Sequence, residues 1–336
     1  MRTAFSILSF VFLALLAKSQ PAITAVTDSS IIYTGWLNNT KYVEERIKGK
    51  NLIYYTSYYK GSNTVFETST LDTLGNYIEI LTRYDKKGKI IYTVNYELDT
   101  WTVYNKKLYP NLELLNNIKK KADSLVISFY SELFFKQHVS WDFDESTFYN
   151  DKHKGDGDEG ISWSKPVKWK PDKFILRYQI KMDDADLENN LIQLLLDSNG
   201  VFIQDEDSRE FGFEKLPPNS PKNFIITYSN AREIAFTKGL IESDTAKASV
   251  FLTTEYIPGK TVYNRHYRIY VVQKYKSEKV DIKSSLTYSK MDHYFVWVFN
   301  PWTGDFMGQK KMYTSTHYSQ GYPQRSSSFI NDGEVE

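Results

Sequence analysis

Residues 31–104 alternate between short mixed apolar and polar runs, each long enough for one strand, and breaks that contain glycine. Glycine adopts the positive φ angles that tight turns between strands require. The pattern predicts an antiparallel β-meander, and residues 20–108 are assigned to this domain. The runs are 52–59, 65–71, 78–84 and 90–96, and the glycines between them are Gly61, Gly75 and Gly88.

The spacing becomes helical after Pro110. Apolar residues recur three and four positions apart, while Lys119 to Lys121 fall outside this stripe. The spacing predicts one amphipathic helix of about 25 residues whose apolar side packs on a sheet. The apolar positions are Leu114, Leu115, Ile118, Ala122, Leu125, Val126, Phe129, Tyr130 and Leu133.

Strand periodicity returns downstream of this helix. Phe174, Leu176, Tyr178, Ile180 and Met182 alternate with polar residues, which predicts a half-buried strand. Two further runs, 191–196 and 201–204, flank a turn at 197–200 and predict a hairpin. A helix followed by antiparallel strands indicates an α+β domain, assigned to residues 109–216.

Residues 217–221 read Pro-Pro-Asn-Ser-Pro and predict a linker, because proline continues neither a helix nor a central strand. The same element order recurs in residues 222–313. Ser229 or Asn230 is expected to cap a short helix that ends at Gly239, and strands follow at 250–256, 263–275, 294–300 and 306–313. Residues 314–336 are polar and predict a disordered tail. The predicted fold class is α+β and β-rich: an N-terminal antiparallel β-meander, then one or two helix-on-antiparallel-sheet units.

The hairpin at 296–308 reads Val-Trp-Val-Phe-Asn-Pro-Trp-Thr-Gly-Asp-Phe-Met-Gly. It resembles the Val-x-Val-Asn-Pro-x-Thr-Gly-x-x-x-Gly hairpin of the PepSY family, with Phe299 as one extra residue, and Ser229–Ala235 loosely matches the family's helix. Residues 222–313 are therefore similar to a PepSY domain, which is a cystatin-like helix on a sheet. Residues 111–204 are similar in element order to a diverged second copy. The segment between Tyr275 and His293, rich in lysine and serine, departs from the family pattern.

PepSY domains occur in the propeptides of thermolysin-like metalloproteases and as secreted modules that bind and restrain proteases. The resemblance implies a secreted, non-enzymatic module that binds a protein partner, either a protease or an envelope protein. Exposed strand edges or the aromatic hairpin would form its contact surface. Trp297 and Trp302 are interpreted as core and turn cover and not as recognition residues.

The first 19 residues resemble a secretory signal peptide. Arg2 precedes an apolar run at 7–17, and small residues flank a cut after Ser19. The run is about half the length that spans a membrane, and no later segment is apolar enough to span one, so no transmembrane segment is expected after cleavage. Secretion or a periplasmic location is expected. The chain has no cysteine, so it must fold without disulfides.

Charge and composition limit the class of partner that the chain can bind. Aromatic residues make up 16% of the chain, which favours strands. The net charge is +1, and it becomes about −1 when Arg2 and Lys18 leave with the signal peptide. A general nucleic-acid binder needs a basic surplus to neutralise phosphates, so no nucleic-acid partner is expected.

No motif assigns a catalytic, cofactor-binding or metal-binding residue, and no cofactor is expected. The five histidines do not have a metal-binding spacing. The acidic loop at 151–160 lacks the third and last ligands of an EF-hand, because Gly160 and Val167 occupy those positions. The histidines are His138, His153, His266, His293 and His317.

Two alternative functions come from other motifs. Trp163 and Trp169 lie among Lys165, Lys168, Lys170 and Lys173, a combination that could bind a cell-surface glycan or protect an edge strand. Three short motifs echo in order those of serine β-lactamases, which would make Ser57 the nucleophile of an acyl-transfer enzyme. Two features oppose this: Ser57 lies in a strand-like run, and Val262 stands where glycine is needed. The three motifs are Ser57-Tyr58-Tyr59-Lys60, Tyr228-Ser229-Asn230 and Lys260-Thr261-Val262.

Overall fold

The computed structural model describes residues 21–73, 75–153, 160–182, 191–203, 222–243, 246–256, 265–284, 287–319, 322–326 and 329–334. The chain divides into two compact units, residues 1–112 with 166–169 and residues 113–165 with 170–336. The segments predicted as signal peptide, 1–19, and as linker, 217–221, lie outside the described residues and stay predictions.

The first unit is an eight-stranded antiparallel sheet in which each strand pairs with its neighbours in sequence. This confirms the predicted meander. Gly61, Gly75 and Gly88 have φ angles of 67°, 96° and 75°, as the turns require. The strands are β1 (Ala22–Val26), β2 (Ser30–Leu37), β3 (Thr40–Ile47), β4 (Ile53–Tyr58), β5 (Val65–Leu71), β6 (Ile80–Tyr84), β7 (Ile90–Asn95) and β8 (Thr100–Val103).

One side of this sheet, here called the inner face, carries a continuous cross-strand row from β2 to β8. The row is polar in β4 to β6 and apolar in β7 and β8. Three apolar residues outside the row, Leu81 on β6, Val94 on β7 and Tyr109 after β8, are also buried. At its β2 end the Tyr42 ring lies over Gly35, where a Cβ atom would approach the ring to 2.2 Å, so this position requires glycine. The row consists of Gly35, Tyr42, Ser57, Glu67, Arg83, Tyr92 and Val103.

The second unit begins with two helices where the sequence predicted one. Helix α1 (Leu112–Phe129) ends, and α2 (Glu132–His138) starts after Ser131, whose Oγ accepts a hydrogen bond from the Phe134 N–H at 3.0 Å. The single long helix was wrong because this serine cap restarts the helix in a new direction. As a result Leu133, predicted to face inward, is 55% exposed, and Phe134 is fully buried in its place.

A four-stranded sheet in the order β10-β9-β11-β12 accompanies these helices. Its core strand shows the predicted alternation, since Phe174, Leu176, Tyr178 and Ile180 are all buried. The Tyr178 hydroxyl donates to Asp123 of α1 at 2.8 Å. The predicted hairpin is present at Asp197, although Gln204 lies outside the described residues. The strands are β9 (Val139–Tyr149), β10 (Ile161–Ser162), β11 (Lys173–Ile180) and β12 (Leu191–Asp197).

The last part of the second unit contains helix α3 (Tyr228–Thr237) and a larger sheet. Thr227, and not Ser229 or Asn230, caps α3, because its side chain accepts from the Asn230 N–H. The sheet has the order β13-β14-β15-β16-β17, and β18 also pairs with β16. Its strands are β13 (Ser249–Tyr256), β14 (Arg265–Ser284), β15 (Thr287–Phe299), β16 (Phe306–Ser319), β17 (Tyr322–Ser326) and β18 (Ile330–Glu334).

Two segments of this sheet differ from the sequence prediction. The lysine-rich segment between Tyr275 and His293 consists mainly of strand, because β14 and β15 continue to pair through it, with register shifts at Lys274–Lys276 and Val280–Ser284. Strands β16 to β18 occupy much of residues 314–336, where the sequence predicted a disordered tail. Polar composition suggested disorder, but threonine and tyrosine have high strand propensity, and an already ordered β15 supplies the backbone partners.

Five aromatic side chains, here called the Trp302 cluster, connect the two parts of the second unit. Trp302, in the β15–β16 turn, is only 2% exposed, and its ring stacks on Tyr130 at 5.6 Å between centroids. Residues from the predicted domains 109–216 and 222–313 thus share one core. The members are Tyr130, Phe134, Phe224, Tyr267 and Trp302.

Candidate functional site

Strands β14 to β16 extend well beyond the rest of their sheet. Strand β13 pairs only with Arg265–Val272 of β14, and the Gln273 side chain then binds the carbonyls of Ile241 and Ala246. Beyond this point β14, β15 and β16 continue as a ladder, here called the arm, that comprises residues 274–284, 287–295 and 311–319; β17 and β18 pair with its outer β16 edge. At about 3.3 Å per residue, its first strand is roughly 36 Å long.

The outer edge of β14 is available in the arm. Among the residues that the structure describes, no strand pairs with Lys274–Ser284 on the side opposite β15. The edge carries lysines and has an irregularity between Lys274 and Lys276, features with which proteins discourage uncontrolled edge pairing. An edge of this length is therefore open to an added strand but selective about which strand it accepts.

One side of the arm is aromatic. Tyr275, 44% exposed, stacks on Phe295 at 4.4 Å, and His293 lies 6.0 Å from Tyr275. His293 Nε2 is 2.9 Å from Glu278 Oε1, and Lys276 pairs with the same carboxylate at 2.7 Å. Hydrogen bonds from Lys276 and His293 lower the pKa of Glu278. This side combines flat aromatic surface with fixed charge.

The opposite side of the arm is a charge ladder. Asp292 pairs with Lys290 at 3.0 Å and with Lys274 at 3.8 Å. Burial raises the pKa of Asp292, but hydrogen bonds from Ser277 and Lys290, together with nearby lysine charge, lower it further than burial raises it. Lys279 lies 4.1 Å over the Tyr288 ring. Both sides are thus ordered by contacts within the arm before any partner binds.

Positive charge is concentrated in the arm of a chain that is nearly neutral. The arm contains six lysines and three acidic residues, whereas the whole chain has a net charge of +1. Charge of one sign on an exposed surface steers partners of the opposite sign and rejects those of the same sign. The arm therefore favours a partner segment that carries acidic residues.

Glu255 holds a buried polar junction at the base of the arm. Its carboxylate accepts hydrogen bonds from the Tyr270 hydroxyl and from Lys310 Nζ, the latter at 2.9 Å, and lies 3.4 Å from Arg268 Nε. Burial raises the pKa of Glu255, but these donors together lower it below its ordinary value. Burial first, and then the charge and hydrogen bond of Glu255, raise the pKa of Tyr270, while Arg268 lowers it in part. The junction joins β13, β14 and β16 through one charged group.

This junction gives a pH-dependent contribution to stability. Because the folded-state pKa of Glu255 is lowered, its contribution is fully present above pH 4.5 and is lost as pH falls through the lowered pKa. Glu255→Gln is expected to destabilise the protein by about 1–3 kcal/mol at pH 7, and the difference from wild type should shrink below pH 4.5. Urea unfolding at several pH values measures this. Exposed Glu233→Gln is the control, and a pH-independent difference for Glu255→Gln would contradict the prediction.

The inner face of the first unit is a second polar cluster. Glu67 pairs with Arg83 and accepts from the Tyr77 hydroxyl at 3.4 Å, while Glu44 pairs with Arg46 at 2.8 Å. Burial first, and then the Glu67 and Glu44 charges, raise the pKa of Tyr55 to about 12. Because each carboxylate has an arginine from its own sheet, this cluster is interpreted as part of the sheet's core.

The three serine motifs fall on separate parts of the chain. Ser57 is 7% exposed inside β4, and Lys60 lies in the turn after that strand. Burial within the sheet does not present Ser57 as an accessible nucleophile. Tyr228-Ser229-Asn230 forms the start of α3 in the other unit, and Lys260-Thr261-Val262 lies outside the described residues.

The two tryptophans of the glycan hypothesis are not exposed together. Trp163 is fully buried against Trp141, Phe148 and Phe174, and Trp169 is half-buried. A stacking platform needs an accessible ring face, so Trp163 belongs to the core of the four-stranded sheet. An exposed glycan platform was one of two interpretations of the sequence here, beside a lysine-protected edge strand, because lysines surround Trp163 in sequence.

Searches for metal chemistry are negative where the structure is described. Within the described ranges, no group of three or more histidine, aspartate or glutamate side chains could hold a metal ion. Most of the acidic loop at 151–160 lies outside these ranges, and Asp151 pairs with Lys173 at 2.8 Å. Of the helices that the structure describes, none is long and apolar enough to cross a membrane.

The arm is a candidate binding surface that the sequence analysis did not identify. Its segment was read as an insertion because serine and lysine dominate its composition. The strand-like signal in the sequence of this segment is short: Val280 and Ile282 alternate with Asp281 and Lys283. The chain matches no protein-family model, no curated protein and no solved structure. The function therefore has to be argued from this geometry.

Proposed function

We propose that this chain is a secreted or periplasmic, non-enzymatic protein-binding module and that the arm is its binding surface. The observation that carries the proposal is the outer edge of β14, Lys274–Ser284, with which no strand pairs among the described residues. An extended partner segment adds a strand to such an edge, main-chain hydrogen bonds supply affinity, and side chains on both sides supply specificity. The lysine-rich edge favours an acidic segment.

The class of module we propose is PepSY-like, with residues 222–313 as a helix-on-sheet unit. Three observations support this. Ala231 and Ala235 of α3 are fully buried, the Tyr228 hydroxyl accepts from the Leu252 N–H at 2.9 Å, and Trp297 Nε1 donates to the Lys238 carbonyl at 3.1 Å. The partner proposed on this basis is a protease or an envelope protein. Trp297 and Trp302 are buried, in agreement with their interpretation as core residues.

Residues 111–204 are proposed as a diverged second unit of the same type. Helix α1 buries Leu115, Ile118, Ala122 and Val126, and its Asp123 accepts from Tyr178 of β11. A helix beside an antiparallel sheet is the arrangement that the element order predicted. Residues 111–204 have no counterpart of the arm within their described strands, so binding is assigned to the arm, which continues from residues 222–313.

The proposal is tested by capture with matched variants. The chain from residue 20 is immobilised and incubated with envelope extract and culture supernatant of the producing cells, and bound proteins are quantified by mass spectrometry. The arm variant is Tyr275→Asp with Ile282→Asp, at positions 44% and 64% exposed. The control variant is Leu98→Asp with Tyr104→Asp, at positions 68% and 59% exposed in the first unit.

We expect wild type and control to enrich the same protein and the arm variant to lose at least about tenfold of that enrichment, because the two aspartates remove exposed apolar contact surface and repel an acidic partner segment. Circular dichroism establishes that all three proteins are folded. Equal capture by the arm variant, or no enriched protein at all, would show that the arm is not a protein-binding surface.

A further inference from the structure

A short segment of the chain itself occupies part of the sheet next to the arm. Residues 329–334, here called the strap, include β18, which pairs with Lys310–Tyr313 of β16. Strand β15 pairs with the same residues from the other side, so the strap lies on the outer edge of β16. Strand β17 uses the adjoining part of this edge, at residues 316–319.

The strap places one aromatic ring on an apolar patch of the sheet. The Phe329 ring lies 5.1 Å from Tyr294, 5.8 Å from Phe251 and 6.4 Å from Tyr270. These neighbours come from β15, β13 and β14, so a single side chain from the outer edge reaches across most of the sheet. The patch consists of Phe251, Tyr270, Val272, Tyr294, Val296, Val298 and Met312.

Charge in the sequence supports the same pairing. Asp332, Glu334 and Glu336 are acidic, and residues 326–336 contain no lysine or arginine. The β16 segment opposite the strap contains Lys310 and Lys311, and the Cα of Glu334 is registered with that of Lys310. The strap is thus an acidic extended segment with one aromatic anchor, bound along a basic strand edge beside an apolar patch.

The strap is weakly held compared with the strands around it. Strand β18 has five residues, its register is irregular between Lys311 and Met312, and its sequence contains aspartate and glycine, which disfavour strands. Ile330 is 40% exposed. Short edge segments with few buried contacts open at lower free energy than the core strands of the same sheet.

We infer that the strap is displaceable and that the Lys310–Tyr313 edge with the apolar patch under Phe329, together called the groove, binds an extended acidic segment of a partner protein, whose aromatic side chain takes the place of Phe329. This inference rests on the proposed protein-binding function and specifies the chemistry of the partner. The strap itself, an acidic extended segment with one aromatic anchor, has the chemistry expected of the partner segment. Bound partner and bound strap exclude each other because both use the Lys310–Tyr313 edge.

The test uses the full chain and a labelled peptide with the sequence of residues 327–336, Ser-Ser-Phe-Ile-Asn-Asp-Gly-Glu-Val-Glu. Fluorescence anisotropy measures its affinity for wild type, for Phe329→Ala and for the control Ile330→Ala. We expect Phe329→Ala to bind at least tenfold more tightly than the other two proteins. A peptide with alanine in place of phenylalanine is expected to lose at least tenfold in affinity.

Equal affinity for all three proteins, or an unchanged affinity of the alanine peptide, overturns the inference. Concentration-dependent dimerisation of wild type in sedimentation, without peptide binding by any variant, would assign the groove to a second copy and also overturn the inference.

A measurement on the unmodified chain covers the case in which Phe329→Ala does not fold. Amide hydrogens of 330–334 should then exchange at least tenfold faster than those of Val296–Val298, and equal protection overturns the inference.

The two proposals fail separately. The arm variant Tyr275→Asp with Ile282→Asp should leave peptide affinity unchanged, since the peptide uses the edge of β16. If the arm variant captures as much partner as wild type while the peptide still binds, the arm is excluded and the strap site is kept. If the arm variant loses capture but no protein binds the peptide, the arm is kept and the strap site is excluded.

Discussion

Trp302→Ala is expected to lower the free energy of unfolding of the second unit by about 3–5 kcal/mol, the usual cost of emptying a buried tryptophan site. The ring is 2% exposed and is surrounded by Tyr130, Phe134, Phe224 and Tyr267. These neighbours lie on α1–α2, on the segment before α3 and on β14, so they cannot all move into the cavity together. Urea unfolding followed by circular dichroism measures the loss.

A matched control for this substitution is Trp36→Ala in β2, where the side chain is 53% exposed. Its cost is expected to be about 1 kcal/mol or less, because an exposed ring loses little burial. If Trp302→Ala and Trp36→Ala cost the same, the Trp302 cluster does not join the two parts of the second unit.

Arg83→Met is expected to destabilise the first unit by about 3 kcal/mol at pH 8, because it leaves the buried carboxylate of Glu67 without its partner. The Glu67 and Arg83 side chains are 7% and 23% exposed. Methionine retains a long apolar stem beside Phe66, over whose ring the guanidinium lies at 3.9 Å. The change therefore removes mainly charge and the hydrogen-bonding donors.

The pH dependence of this stability loss shows whether the charge of Glu67 or the packing of Arg83 causes it. Burial raises the pKa of Glu67 above 4.5, although Arg83 and Tyr77 lower it in part, and removal of Arg83 raises this pKa further. A raised folded-state pKa means that the folded state holds more protons, so stability falls as pH rises above 4.5. The loss in free energy of unfolding of Arg83→Met relative to wild type should accordingly be small near pH 4 and should grow above pH 4.5.

Two controls accompany this series. Adding Glu67→Gln to Arg83→Met should recover part of the stability at pH 8, because a neutral amide needs no counter-charge. Arg46→Met should cost about 1 kcal/mol or less, since Arg46 is 48% exposed beside Glu44. A deficit of Arg83→Met that does not vary with pH would mean that packing, and not the charge of Glu67, causes it.

Much of the fold could be predicted wherever one pattern governs a whole segment. The meander was predictable because each strand fits between glycine turns, and β11 because alternate residues are apolar. The helix break at Ser131 was not predictable from spacing, since the apolar stripe continues through it. What ends α1 is a side-chain cap and the stacking of Tyr130 on Trp302, a residue more than a hundred positions away.

The candidate site was less predictable than the fold. The edges of β14 and β16 become visible only when strand order is known, because an unpaired edge is a property of neighbours. Phe329 illustrates this: its sequence surroundings are polar serine and asparagine, yet its ring lies on an apolar patch from three other strands. No local pattern marks such a contact.

By itself the sequence determined the meander with its glycine turns, the alternation of β11 and the absence of disulfides, because these depend on residues close together in the chain or on composition alone. Tertiary structure decided which strands have free edges, which tryptophans are buried and which carboxylates have partners. Those properties arise from long-range pairing and desolvation, in which residues far apart in sequence determine the environment of each group. Trp163 and Trp302 became core residues for that reason, and the lysine-rich segment after Tyr275 became the arm.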